Sequence, residues 1–469
     1  MIEDLLMLKP TIFCGVPRVF DRIYTGIMEK IAAGGLLKKS LFQKPRSNKS
    51  FIQKVNIHVE KIKLASILSI HPLYLRDIGL VEQLTLLPPY GLKSPEKTNF
   101  NDEYLDPLSL TRSIFFPRPE YFGLVDPRNN ADNETSIYYL PEHVWLDTDG
   151  NPIQAHGGGI LFDKKSETYY WYGESKNGST YLSPETGTPR VDFIGICCYS
   201  SKDLWSWKNE GILLPAEERI ENHDLYKMNV VERRPRVIYN ERSGKYVMWI
   251  HVDDVTYAKA LVGVAISDSR TGPFEYLYSR SSNGFDSRDM TVFQDDNIGM
   301  AYLIYCSLEN KEIHISSLNE DYLDVTSDMA KVLVGQHRAA PVLFKNLGIY
   351  YMITSGCSGL APNEALVHEA DSIFGPWETI GNPCVGANKV FRAATFFSQG
   401  TFVIPMPPGS PLGSFVFMAD RWNTADLRDS RYLWLPLTVS PMERRYPGLP
   451  LWSRVSIIWT AKWKIPFTD

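Results

Sequence analysis

Residues 154–174 read QAHGGGILFDKKSETYYWYGE, and much of the chain that follows repeats their pattern. A polar start and three glycines lead into Ile160–Phe162, a polar turn spans Asp163–Glu167, and the chain returns as Tyr169–Tyr172. Aromatic-rich apolar runs of this length around a polar turn predict an antiparallel strand pair. The arrangement recurs at 232–249 (ERRPRVIYNERSGKYVMW), 289–305 (DMTVFQDDNIGMAYLIY) and 339–353 (AAPVLFKNLGIYYMI). A looser fifth copy lies in 394–421, where ATFFSQGTFVIP precedes SFVFMADR. Taking Tyr170, Val247, Tyr302 and Tyr351 as equivalent, the steps are 77, 55 and 49 residues. A polar segment closing on an aromatic follows each of the first four pairs: CYSSKDLWSW (198–207), AISDSRTGPFEY (265–276), ISSLNEDYLDV (315–325) and HEADSIFGPWE (368–378). These supply a third strand, a turn and a fourth strand. The period suits the four-stranded blade of a β-propeller. One blade alone has open edges and a half-buried face, so the copies must stack and close into a ring. The predicted fold is therefore all-β, a five-bladed β-propeller over residues 136–465.

The composition narrows the function. The chain has 469 residues, 44% hydrophobic and 22% charged, and no apolar run reaches the roughly 18 residues of a membrane span. A net charge of −5 argues against a nucleic-acid partner, which calls for a basic face. The 11 Trp and 25 Tyr suit both a sheet-rich core and a sugar-stacking cleft. The six cysteines show neither a CxxC pair nor metal-ligand spacing, and read as reduced thiols buried in strands. No signal peptide is visible at the N-terminus. His251 with Asp253 and Asp254 has the residue types of a metal site, but an acceptor-rich turn explains them better. Asp420, Arg421, Asp426, Arg428 and Asp429 read as a salt-bridged loop, with a substrate clamp as the alternative.

The segment ahead of the repeats is of another kind. Residues 1–43 read as a short strand, a turn at Gly15–Pro17 and a helix from about Val19 to Ile31. Residues 44–93 mix basic and apolar positions and suit one helix, and 94–135 form a Pro/Asn/Asp-rich linker. A leader without a sheet to pack on is expected to be poorly ordered or partly helical.

In a propeller the first strand of each blade lines the central channel, so residues at its start share one mouth. His156, Glu232, Asp289 and Ala339 lie 12 to 15 residues before the equivalent positions. Gln399 is the nearest polar candidate in the fifth copy. Polar residues at strand starts are also ordinary solvated turns, but ionisable groups recurring in phase point to a cleft. Convergent carboxylates in a cleft are the usual equipment of glycoside hydrolysis. Glu174, at the end of a second strand, reads equally as part of the rim or as a solvated strand end.

Two resemblances attach to these motifs. LKPTIFCGVPRVFDRIYTGIMEKI, within residues 1–43, resembles an internal piece of plant long-chain acyl-CoA synthetases, but the phosphate loop and adenylate motifs of those enzymes do not accompany it. Acyl activation is not expected, and a fused or mis-joined reading frame is. From about residue 100 to 465 the chain resembles glycoside hydrolase family 43, in the plant branch similar to exo-β-1,3-galactosidases. HGGGIL, YYWYGE, VGVAISDSRTGPF, FDSRDMTVF, SGCSGLAPNEA, MADRWNTADLRDSRYLWLPL and PLWSRVSIIW carry that resemblance.

The resemblance implies a five-bladed propeller and hydrolysis of terminal β-1,3-linked galactose in arabinogalactan-type glycans, with inversion. It also implies an oligosaccharide or polysaccharide substrate, no cofactor, no metal, a monomer, and a Golgi or extracellular location. Asp289 matches the carboxylate that tunes the acid's pKa, and Glu232 the substrate-contacting Glu. His156 and Gly157 stand where the first-blade base is absent, and Gln399 matches the Gln thought to hold the water. His156, Glu174 and Arg338 join Glu232 as expected sugar contacts. The branch reads REAP where this chain reads Arg338-Ala339-Ala340-Pro341, so a methyl group replaces the general-acid Glu. Glu364 is the other acid candidate. The alternative is a carbohydrate-binding pseudoenzyme.

Overall fold

Five antiparallel sheets follow one another along the chain, each built from strands that are consecutive in sequence. The computed structural model describes residues 124–127, 139–141, 143–229, 234–295, 298–387, 389–406, 410, 413–439, 455–460 and 463–465. The expectations for residues 1–123, for Cys14 and for Glu232 lie outside these residues.

Blade 1 comprises His156–Asp163, Thr168–Glu174, Gly195–Ser201 and Lys208–Pro215. Blade 2 comprises Arg236–Asn240, Lys245–Val252, Leu261–Ser267 and Glu275–Arg280, and blade 3 Met290–Asp295, Met300–Ser307, Glu312–Leu318 and Val325–Val332. Blade 4 comprises Arg338–Asn346, Ile349–Gly356, Leu366–Ala370 and Glu378–Gly381. In blade 5, Gln399–Pro405, Ser414–Arg421, Arg431–Val439 and Val455–Ile458 gain an outer parallel strand, Cys384–Val385. Tyr170, Val247, Tyr302 and Tyr351 are each the third residue of the second strand of their blade. The repeat phase read from the sequence is therefore the phase of the fold.

First strands adjoin first strands in ring order, blade 5 meeting blade 1, so they are the innermost. Between blades the core is made by opposed sheet faces. Tyr172, Leu214, Met248 and Phe274 fill the gap between blades 1 and 2, and Trp249, Val264, Leu303 and Tyr305 the gap between blades 2 and 3. Ile304, Ile315, Leu343 and Met352 fill the gap between blades 3 and 4.

All strands of blade 1 come from 156–215 and all strands of blade 5 from 384–458, so the ring closes by packing rather than through a blade shared between its ends. The seam is an aromatic wedge. Trp171 of blade 1 lies 5.0 Å from Trp434 and 4.7 Å from Tyr432 of blade 5. Tyr139 stacks on Trp463 at 4.6 Å, and the two exchange backbone hydrogen bonds of 2.6 and 3.1 Å. At roughly 25 cal/mol per Å² over 150–250 Å², each buried indole contributes at most about 4–6 kcal/mol.

Strand pairing starts earlier than residue 136, because Leu124–Val125 pairs in parallel with Val144–Trp145. The five described cysteines are free thiols; Cys197, Cys198, Cys306 and Cys384 are buried as expected, whereas Cys357 is exposed because it follows the end of its strand. No helix among the described residues is long and apolar enough to cross a membrane.

Candidate active site

The inner strands start at one rim, and three of them carry an extra residue just inside it. The ladder slips between His156 and Gly159 in blade 1, Ala339 and Val342 in blade 4, and Gly400 and Phe402 in blade 5. Each slip has a local cause: a run of glycines, Pro341 with no N–H to donate, and Gly400. Bulges of this kind re-aim groups at the end of a strand. In blade 4 the result is direct: the N–H of Ala340, a residue at φ 54°, donates to Asp289 Oδ2 of blade 3 at 3.1 Å.

Asp289, Ala339 and Gln399 are linked through Ala340 and Ser355. Ala339 is the cross-strand partner of Ser355. The Ser355 hydroxyl donates to the Ala339 carbonyl at 3.4 Å, and Gln399 Nε2 of blade 5 donates to the same hydroxyl at 3.3 Å. Trp422 Nε1 donates to Gln399 Oε1 at 3.4 Å, which fixes both ends of the amide. Asp420, cross-strand partner of Gln399, accepts the N–H of Gly157 at 2.5 Å and faces His156 Nδ1 at 3.8 Å. His156 is fully buried, stacked on Tyr432 at 4.9 Å, and neither of its ring nitrogens makes a hydrogen bond.

A pocket opens beside this chain of contacts, lined by Glu174, Lys176, Arg234, Gln399, Trp422 and Leu427 among others. Glu174 pairs across the strand with His156 and forms a buried ion pair of 2.7 Å with Lys176. Arg234, at φ 79°, is buried and lines the same pocket. Leu360, Trp422 and Leu427 give it an apolar side, so charged groups and an indole face share one small space, as sugar recognition requires.

Other expected residues sit differently. The Arg338 guanidinium is used within blade 4, donating to Thr354 Oγ1 and to the Thr354 and Glu364 carbonyls at 2.8–2.9 Å. Burial pushes its pKa down. Glu364 is exposed, with Oε1 accepting from Asn382 at 3.0 Å. His251 pairs with Asp253 at 3.1 Å, and Asp253 Oδ1 accepts the N–H groups of Asp254, Lys259 and Ala260, as an acceptor-rich turn should. Among the described residues no three His, Cys, Asp or Glu side chains cluster to hold a metal.

With that geometry in place, a model for glycosyl hydrolases family 43 matches residues 150–400, and solved structures match most of the chain. A family 43 β-1,3-galactosidase in complex with galactodeoxynojirimycin is 37% identical, with TM-score 0.61, over 70% of this chain and 100% of that one.

This chain belongs to glycosyl hydrolase family 43.

The exo-β-1,3-galactanase of Phanerochaete chrysosporium with β-1,3-galactotriose is 34% identical over 70% of this chain and 68% of its own, with TM-score 0.59. That of Clostridium thermocellum is 33% identical, with TM-score 0.58, over 70% and 67%. The N-terminal stretch matches other proteins altogether. It is 67% identical over 43 residues to a probable CoA ligase of Humulus lupulus, and 52% identical over 61 residues to a long chain acyl-CoA synthetase of Arabidopsis thaliana. Those matches span only 6% and 9% of the relatives' own length.

Sequence reasoning missed the residue that ties this family 43 rim together. Arg236 donates to Gly157 O at 3.2 Å in blade 1, to Thr291 Oγ1 at 2.9 Å in blade 3, and to Thr401 O in blade 5. Its burial, with Arg234 beside it, holds the guanidinium pKa below the ordinary range, while Asp420 opposes that shift. Gly159 leaves room for it, because a Cβ there would lie 2.9 Å from Arg236 Nη1. Ser355 and Trp422 were also passed over, since neither sits at the start of a first strand.

Proposed function

We propose that this family 43 protein recognises terminal β-1,3-linked galactose of arabinogalactan-type glycans and that its hydrolysis, by inversion, is impaired by Ala339. One observation carries the reading: from the blades on either side, Asp289 accepts the N–H of Ala340, and Gln399 is linked to the Ala339 carbonyl through the Ser355 hydroxyl. A proton donor at that position would stand between the carboxylate that sets its pKa and the amide that positions water. The substrate class follows from the galactan-cleaving relatives.

In this reading the galactose ring lies in the pocket against Trp422, with Glu174, Lys176 and Arg234 toward its hydroxyls. Gln399 holds the attacking water below the anomeric carbon. The leaving sugar oxygen departs on the side of Ala339, where a methyl group gives it no proton. General acid catalysis is worth roughly 10²–10⁴-fold, so turnover on natural galactan should fall by about that factor while binding persists. Loss of the acid with an otherwise furnished pocket also favours the second reading, a galactan-binding protein without turnover.

The test is to incubate the chain with β-1,3-galactan and follow release of monomeric galactose, with calorimetric titration of β-1,3-galactobiose alongside. Saturable binding with slow or no release supports the proposal. No binding of the disaccharide, or release of a different sugar from another glycan, overturns it.

A further inference from the structure

We propose that Ser355 is a proton-relay residue coupling Gln399 to position 339, so that Ala339 disables the water-activating side of the site as well as the acid. The inference rests on the functional reading above, and it concerns how the two halves of that site communicate.

The geometry is specific. Ala339 and Ser355 face each other across the first two strands of blade 4, which puts their side chains on the same face of the sheet. Gln399 enters that face from blade 5, with Nε2 donating to Ser355 Oγ at 3.3 Å, and Ser355 Oγ in turn donates to the main-chain carbonyl of Ala339 at 3.4 Å, beside the side chain at that position. Ser355 is 6% exposed, so bulk water does not readily replace it. Trp422 Nε1 on Gln399 Oε1 orients the amide so that its N–H points at Ser355.

An amide is a feeble base unless it gives up an N–H proton as its oxygen gains one. Water oxygen bonds to the anomeric carbon, and the glycosidic C–O bond breaks. The water proton goes to Gln399 Oε1, a proton leaves Nε2 for Ser355 Oγ, and the Ser355 hydroxyl proton moves on to residue 339. With a carboxylate at 339 that has just protonated the leaving oxygen, this last transfer restores the acid, and the imidic form of Gln399 returns to the amide by exchange with water. In this chain the last acceptor is the Ala339 carbonyl, a far weaker base than a carboxylate. The relay has no terminus.

A loss of the acid alone would spare substrates whose leaving group needs no proton. A stranded relay would not. Four full-length proteins separate these cases on a nitrophenyl β-galactoside and on β-1,3-galactobiose: the chain as it stands, Ala339→Glu, and Ala339→Glu combined with Ser355→Ala or with Ser355→Thr. The expected result is that the natural chain stays slow even on the nitrophenyl substrate, and that Ala339→Glu accelerates both substrates. Ser355→Ala then removes at least tenfold in kcat from both with little change in KM, while Ser355→Thr, which keeps the hydroxyl, stays within a few-fold. Two results overturn the relay: natural chain and Ala339→Glu equally fast on the nitrophenyl galactoside, or Ser355→Ala without effect in the Ala339→Glu protein. An Ala339→Glu protein that binds galactobiose but cleaves neither substrate also overturns it. If that protein does not bind galactobiose at all, the functional reading falls as well.

Discussion

The Arg236 guanidinium donates to the carbonyl oxygen of Gly157 at 3.2 Å, tying the inner strand of blade 2 to that of blade 1 at the rim of the pocket. The same side chain reaches blades 3 and 5, so one buried cation spans four of the five blades. Removing it strands three buried acceptors on other blades, besides the adjoining Pro235 carbonyl. Each buried unsatisfied group costs about 1–3 kcal/mol, so Arg236→Met should destabilise by at least about 3 kcal/mol. Chemical denaturation of the two proteins measures this, and a loss under 1 kcal/mol would contradict the assigned role.

Two neighbouring glycines should behave differently. A Cβ on Gly173 would lie 2.1–2.4 Å from the backbone of Ala155, which cannot move without opening blade 1. A Cβ on Gly159 meets the Arg236 side chain instead. Gly173→Ala is expected to prevent folding or to cost more than about 3 kcal/mol, beyond the usual range for point changes. Gly159→Ala should fold and lose less. Melting temperatures of the pair check the order.

Acid should weaken the fold through His368. Its ring is buried, bonded to Thr354 Oγ1 and Thr379 Oγ1 at 2.9 Å each, and burial, with Arg338 nearby, pushes its pKa down to about 3. The unfolded chain, with an ordinary histidine pKa near 6.5, therefore binds more protons between those values. Stability is full above about pH 6.5 and falls as the pH drops, by up to about 1.4 kcal/mol per unit until pH 3. His368→Gln should flatten the slope of unfolding free energy between pH 6.5 and 4; an unchanged slope would remove His368 from the account.

The ring was legible because its cause is periodic. The third residue of every second strand in the first four blades could be found from Tyr170, Val247, Tyr302 and Tyr351, since a repeated hairpin must present the same residue to the same gap between blades. Strand starts were legible for the same reason, which brought Asp289, Ala339 and Gln399 together in the reading. Groups that reach the rim from elsewhere carried no such signal. Ser355 and Asp420 lie toward the ends of second strands, where only the antiparallel register shows that they face Ala339 and Gln399, and Trp422, just past one, reaches Gln399 through its indole N–H. Arg236 opens the inner strand of blade 2 behind Arg233, Arg234 and Pro235, but its partners are backbone carbonyls and one hydroxyl, which one sequence cannot reveal. Arg338 shows the converse: a cation beside the key position whose bonds stay within its own blade.

Orientation of Gln399 should depend on Trp422. Trp422→Phe keeps an aromatic face but removes the indole N–H that meets Gln399 Oε1 at 3.4 Å. In the Ala339→Glu protein it should lower kcat by about tenfold, the loss of roughly one neutral hydrogen bond, with KM changed less. Equal effects on kcat/KM and on binding of galactobiose, with kcat intact, would make Trp422 a binding surface only.

Position 339 decides the account. The ratio of kcat/KM on β-1,3-galactobiose between Ala339→Glu and the natural chain measures it most directly. Placing a proton donor between Asp289 and Gln399 should raise that ratio to at least about 100, the low end of general acid catalysis. A ratio near one, with both proteins measurably active, would show that the acid lies elsewhere in the ring.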